Sequence, residues 1–140
     1  MVAHVQANGL ATLVYGALPI FEFGSEEQKK RWLSAVTSGD TILTAALEEL
    51  GSNEPREPRT QAKLIGDGWV LDGEKACVPA ANRAARILVS AATGPEQVGL
   101  FLVDPSSEGV NLENDLANNY ERQGHLQLSG VRVAAEDVLG

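Results

Sequence analysis

A chain of 140 residues with 44% apolar content can bury the core of one ordinary domain, or of one domain with an appendage. Its formal net charge of −8 excludes the Lys/Arg excess by which nucleic acids and anionic membranes are held, though not a local cluster that meets a small anion. The single cysteine, Cys77, excludes an internal disulfide framework and fits a reducing compartment.

No basic leader follows Met1, and the longest nearly apolar run, 11–21, is shorter than the ~20 residues a spanning helix needs. A cytoplasmic protein is expected, with neither nucleic acid nor membrane as partner. Residues 1–15 put Val2, Val5, Leu10, Leu13 and Val14 near one helical face and predict an amphipathic helix, weakened at Gly9. Gly16 and Pro19 then predict a turn-rich connector over 17–23.

Ser25 followed by Gln28 is a capping box, and Glu26 and Glu27 favour the positive end of a helix. Trp32, Leu33 and Val36 form a buried stripe, Lys29, Lys30 and Arg31 a solvated face. Gly39 sits where a left-handed residue ends a helix. A helix over 26–38 is predicted.

From Thr41 the texture turns to β-branched and apolar. Strands are predicted at 41–47, 61–65, 69–71, 74–78, 87–92, 98–103, 110–112, 126–128 and 131–133. Residues 48–59, with Gly51, Ser52, Pro55 and Pro58, read as a loop; turns are expected at Asn82-Arg83, 93–97 and 104–109, and 113–121 is ambiguous. The stretch Gly66–Pro79 holds two Asp-Gly dipeptides around Trp69-Val70-Leu71, which predicts two tight reversals and a three-stranded meander. Helices first and strands afterwards imply an α+β fold in which helices abut an antiparallel β-barrel. Val138-Leu139-Gly140 carries no terminal cap, so a truncated chain is expected.

Four stretches, in order, resemble the middle of the acyl-CoA dehydrogenase family. Residues 23–33 with Gly39 are similar to the helix that closes its N-terminal domain. Ala46-Leu47-Glu48-Glu49-Leu50-Gly51-Ser52-Asn53 resembles the flavin loop A-L-T-E-P-G-A-G-S-D. Residues 66–79 resemble D-G-x-x-L-x-G-x-K-x-W-I-T-N-A, and residues 130–140 resemble V-x-V-P-x-E-x-x-L-G. The resemblance implies a division into 1–39, the end of a helical domain, and 40–140, a middle β-barrel domain, with the C-terminal helical domain absent.

The resemblance also implies a cofactor, FAD, and an acyl-CoA substrate dehydrogenated at its α,β-carbons, as in fatty acid or sterol side-chain breakdown. It further implies a homo- or hetero-tetramer and an electron-transfer flavoprotein as acceptor. The family's glutamate base belongs to the C-terminal domain, so no catalytic residue is expected here, and no metal ligand; the fragment alone is expected to be inactive.

The residues carried over as flavin contacts are Ala45, Ala46, Leu47, Glu48, Ser52, Cys77, Val78 and Pro79, with Ser52 also towards substrate. Three depart from the family's pattern. Glu48 replaces a threonine hydroxyl, Cys77 an indole, and Pro79, which has no N–H, a second threonine. These changes imply weakened FAD contacts and a degenerate subunit that pairs with a complete homologue. Two alternatives stand beside it: a conventional homotetrameric enzyme with a diverged loop, and a non-enzymatic module that keeps the barrel for assembly.

Other residues have plainer readings. Glu48 and Glu49, adjacent on a strand, face opposite sides and serve as solvated or structural carboxylates. Cys77 reads as an inert thiol, His4 and His125 as ordinary histidines, Arg56 and Arg59 as solvated, and Trp69 as a core anchor.

Overall fold

The computed structural model of the protein describes residues 17–38, 42–49, 57–79, 84–116 and 122–139. The amphipathic helix expected over 1–15, Gly39, Ser52, Arg56 and the Asn82-Arg83 turn lie outside them.

Helix α1, Leu18–Phe23, replaces the connector expected over 17–23. Pro19 does not prevent it because it sits in the first turn, where its missing N–H would have no helical partner. Gly24 ends α1, and Ser25 opens α2. The capping box forms in both directions: Ser25 N–H donates to Gln28 Oε1 at 2.8 Å, and Gln28 N–H donates to Ser25 Oγ at 3.2 Å. Helix α2 runs as Glu26–Gln28, a π-helical segment Lys29–Leu33, and Ser34–Thr37. Its stripe of Trp32, Leu33 and Val36 packs with Ile20, Leu43, Leu88 and Leu102 in one of two apolar cores.

Among the described residues eight strands follow: β1 Leu43–Ala46, β2 Gln61–Ile65, β3 Gly68–Pro79, β4 Arg86–Gly94, β5 Gln97–Val103, β6 Val110–Leu116, β7 Arg122–Ala134 and β8 Val138–Leu139. They form one sheet in the order β6-β7-β3-β2-β4-β5-β8, with β1 added against β4. The second core, including Leu71, Val78, Val89, Phe101, Leu126 and Val131, is packed by the strands themselves. The α+β architecture is the expected one, but among the described residues the ladder does not close, so "barrel" describes it only loosely. Nor is it wholly antiparallel, since β1 and β2 both run parallel to β4.

The predicted meander is not formed. The chain reverses once, between Ile65 and Gly68, and the two turn residues are Gly66 and Asp67 rather than Asp67 and Gly68. Only Gly66 has positive φ, 65°, which is the pattern of a hairpin with glycine first rather than of the expected type I′ turn. At Asp72-Gly73 the chain continues straight through β3, with a register shift against β7. Gly73 is required there for a different reason. A Cβ at this position would lie 2.7 Å from Thr60 Cα, and its φ is 155°. The glycine admits a neighbouring strand end instead of a turn. The two segments expected at 126–128 and 131–133 likewise merge, as β7.

Candidate functional site

Strands β1 and β2 occupy one slot between β3 and β4, end to end. Along β4, Ala46 pairs with Val89 and Gln61 with Ala92; along β3, Glu48 pairs with Ala76 and Gln61 with Asp72. The chain therefore leaves the slot at Glu48-Glu49 and re-enters it at Thr60. A ladder interrupted in the middle of a sheet leaves backbone groups to be satisfied away from water.

The Glu49 carboxylate fills this break. Its Oε1 accepts from Arg59 N–H at 2.6 Å, and its Oε2 accepts from Thr60 N–H at 2.8 Å and the Thr60 hydroxyl at 2.6 Å. Lys75 Nζ, fully buried on β3, lies 3.5 Å from the same oxygen and donates to Ser90 Oγ on β4 at 3.1 Å. Ala92 N–H donates to Thr60 O at 2.8 Å, and Ala76 N–H to Glu48 O at 2.8 Å, closing the junction on both flanks. Burial alone would raise the Glu49 pKa, but the Thr60 hydroxyl, the two N–H groups and Lys75 outweigh it and hold the carboxyl below its ordinary value. Burial lowers the Lys75 pKa, and Glu49 offsets only part of that.

The sequence reads Glu48 and Glu49 alike as solvated or structural carboxylates facing opposite sides; in the structure Glu48 is exposed and Glu49 buried, and neither its partners Arg59, Thr60 and Lys75 nor the Lys75–Ser90 bond was foreseen. The usable signal was parity: Lys75 follows Leu71 at an inward position of β3, where a charge requires a partner.

The junction brings together the two segments carried over as cofactor contacts. Ala45 and Ala46 are buried on β1, Leu47 is half-buried, and Glu48 is exposed where β1 meets β3. One residue past Ala76, the backbone of 77–79 continues β3, with Val78 opposite Gly124 and Pro79 opposite Gln123. The side chains of Ala45, Ala46 and Val78 all lie in the two cores, so these three residues can offer a ligand only backbone groups. Among the described residues, β1 has a ladder partner along one edge only, and Thr44 Oγ1 is buried without a hydrogen-bond partner. That hydroxyl and the strand backbone are the neutral polar groups that β1 offers a planar ring system. The Glu48 carboxylate does not suit one that gathers negative charge.

A second polar cluster lies where α2 meets the sheet. The Arg31 and Arg86 guanidinium carbons lie 4.6 and 5.0 Å from the Trp32 ring centroid. Arg86 also pairs with Asp104 at 3.3 Å. Gln28 Nε2 donates to Glu136 O at 2.7 Å and to Val138 O at 2.9 Å, fastening α2 to the chain beside β8. Elsewhere, His125 lies 3.4 Å from Glu74, Arg59 is exposed, and Trp69 packs edge-on against Phe101 at 5.5 Å. Among the described residues no group of three His, Cys, Asp or Glu could hold a metal, and no helix is long and apolar enough to cross a membrane.

Comparisons with known proteins point to one family. Residues 2–40 match the family model "Acyl-CoA dehydrogenase, N-terminal domain". The human mitochondrial short-chain specific acyl-CoA dehydrogenase is 34% identical over 130 residues, covering 87% of this chain and 32% of that protein. Among solved structures, a glutaryl-CoA dehydrogenase from Mycobacterium smegmatis in complex with FADH2 superposes with a TM-score of 0.81 at 30% identity, covering 89% of this chain and 33% of that one. The Tcur3481-Tcur3483 steroid ACAD superposes at 0.82 with 27% identity, covering 97% and 35%. The chain thus spans about a third of the length of the proteins it matches.

Proposed function

The chain belongs to the acyl-CoA dehydrogenase family, and from that premise we propose that it forms the flavin-facing middle of a subunit whose own grip on FAD is weakened. Such a subunit works beside a complete homologue in the α,β-dehydrogenation of an acyl-CoA thioester. FAD, when bound, supplies the hydride acceptor, and that chemistry is the cofactor's. Backbone groups of Ala45, Ala46 and Leu47 would orient the ring. Ser52 remains the candidate for the pyrophosphate or the substrate.

One observation carries the weakened-grip reading: Glu48 sits on the bridge between β1 and β3, beside the segment 77–79. Its carboxylate takes the place of a neutral hydroxyl and repels negative charge accumulating on a reduced ring. Cys77-Val78-Pro79 supplies neither an aromatic face nor a hydroxyl, and Pro79 no N–H. The M. smegmatis relative was solved with FADH2, and the steroid ACAD bears a name that joins two gene products. Both support a flavin site and a mixed assembly as the setting for this chain.

The test is the visible flavin absorbance of the full-length protein, purified alone and co-expressed with its homologous partner. Substoichiometric FAD alone and full occupancy in the complex is the expected result. Stoichiometric FAD together with acyl-CoA oxidation by the protein alone overturns the weakened-subunit reading. Restoring the hydroxyl with Glu48→Thr is expected to raise FAD affinity about tenfold, the order of one charge-sensitive contact.

A further inference from the structure

We propose that Glu49 is a positioning residue for the flavin site: its carboxylate locks the break between β1 and β2 and thereby sets the spacing of the two flavin-facing segments. This rests on the flavin reading above for its functional half only.

The geometry leaves Glu49 little other role. Glu49 and Lys75 are both buried, so neither offers a charge to a ligand in solution. Yet together their bonds tie four strands. Glu49 leaves β1, Arg59 and Thr60 lead into β2, Lys75 lies on β3, and Ser90 lies on β4. Glu48, one residue before the carboxylate, and Ala76, one residue after the lysine, are the pair that bridges β1 to β3. Because this bridge is antiparallel, the chain entering it through Ala45–Leu47 and the chain leaving it through 77–79 run along the same side of it, facing each other. A shift of the carboxylate would therefore move both segments together. Three donors converge on the Glu49 oxygens, one from a hydroxyl and two from backbone N–H groups. A neutral amide presents one oxygen where the carboxylate presents two, so charge balance alone cannot replace it. Gly73 belongs to the same device, because only a residue without a Cβ lets Thr60 approach.

The experiment compares wild type, Glu49→Gln, and the double variant Glu49→Gln/Lys75→Met in the full-length protein with its partner subunit. Two quantities are read: the FAD dissociation constant, and amide hydrogen exchange at Arg59 and Thr60 against a reference on β7 at Leu126–Val133. Glu49→Gln is expected to weaken FAD roughly ten- to hundredfold, as sub-ångström misplacement does, and to speed exchange at Arg59 and Thr60 while β7 stays protected. The double variant removes the unpaired buried charge and is expected to recover thermal stability but neither FAD affinity nor protection at those two amides. Recovery of both overturns the proposal, because the pair then serves only to balance charge. Unchanged exchange and affinity in Glu49→Gln overturns it as well. If wild type holds no FAD even with its partner, the flavin reading fails and the exchange arm decides the junction by itself. Where Glu49→Gln does not fold, Thr60→Val removes one of the three donors and reads the same two quantities, with a smaller change expected in both and no change in either overturning the proposal.

Discussion

Two places in this molecule gather charged groups, and they use the same chemistry for different ends. At the β1–β2 junction, Glu49 and Lys75 are cut off from water and held by strands on every side. At the corner of α2, Arg31 and Arg86 lie over Trp32, Asp104 pairs with Arg86 and Asp137 feels both arginines, all with partial access to solvent. Water can replace a lost partner at the corner but not at the junction. A dry charge therefore specifies one arrangement of the chain, whereas a wet one adjusts the energy of an arrangement already set.

The largest effect should come from breaking the dry side. Glu49→Leu removes the acceptor of three hydrogen bonds and strands the Lys75 charge, and about 3–5 kcal/mol of unfolding free energy should be lost in urea titration. The pH dependence sharpens this. Folded Glu49 ionises below its ordinary pKa, so the stability it contributes is complete above that ordinary value and is lost as pH falls through the lowered folded one. Lys75 is also lowered, so in alkali the folded chain releases its proton before the unfolded chain does, and stability rises with pH across that window. Both slopes have the same sign, and both should vanish in a variant lacking the pair.

Gly73→Ala tests the same junction without touching a charge. The added Cβ meets Thr60 Cα at 2.7 Å, and Thr60 cannot retreat without dragging its bonds to Glu49. A loss of about 2 kcal/mol is expected, measured as the shift in urea midpoint, with Gly66→Ala in the open hairpin turn as the comparison.

How much of this was legible in the sequence divides along the same line. Periodicity and caps are local, so α2, β2 and most strand positions were read correctly from Ser25, Gln28 and the apolar runs. The Asp-Gly pair at 72–73 was misread because local turn chemistry and a close tertiary approach ask for the same residue. Pro19 misled for a related reason, since proline ends a helix or begins one according to position. That β1 and β2 share a slot depends on strands β3 and β4. The candidate cofactor segments 45–48 and 77–79 meet at the Glu48–Ala76 bridge, whereas the inward parity of Lys75 called for a partner without saying which carboxylate would supply it.

On the wet side, Gln28 is the exception that behaves as though dry. Its amide spans from the helix to the carbonyls of Glu136 and Val138 while its own N–H and Oε1 complete the cap. Gln28→Ala should cost about 1–3 kcal/mol. It should also loosen the Glu136–Val138 amides in hydrogen exchange before any other part of the sheet.

Asp137 gives the smallest effect and the most direct contrast. Burial raises its pKa; the nearby Arg86 charge lowers it in part, and Glu136 and Asp104 work against Arg86. Between the ordinary and the raised value the folded chain binds more protons than the unfolded chain, so stability falls as pH rises through that window. This is the reverse of Glu49. The reason lies in the partners: Glu49 has three donors aimed at it, while Asp137 shares an arginine already paired with Asp104. Asp137→Asn should therefore gain stability near neutral pH, by up to about 0.5 kcal/mol, and gain nothing in acid where the wild-type carboxyl is protonated in both states. A loss at neutral pH would mean that Asp137 holds Arg86 in place, and that the corner, like the junction, specifies position.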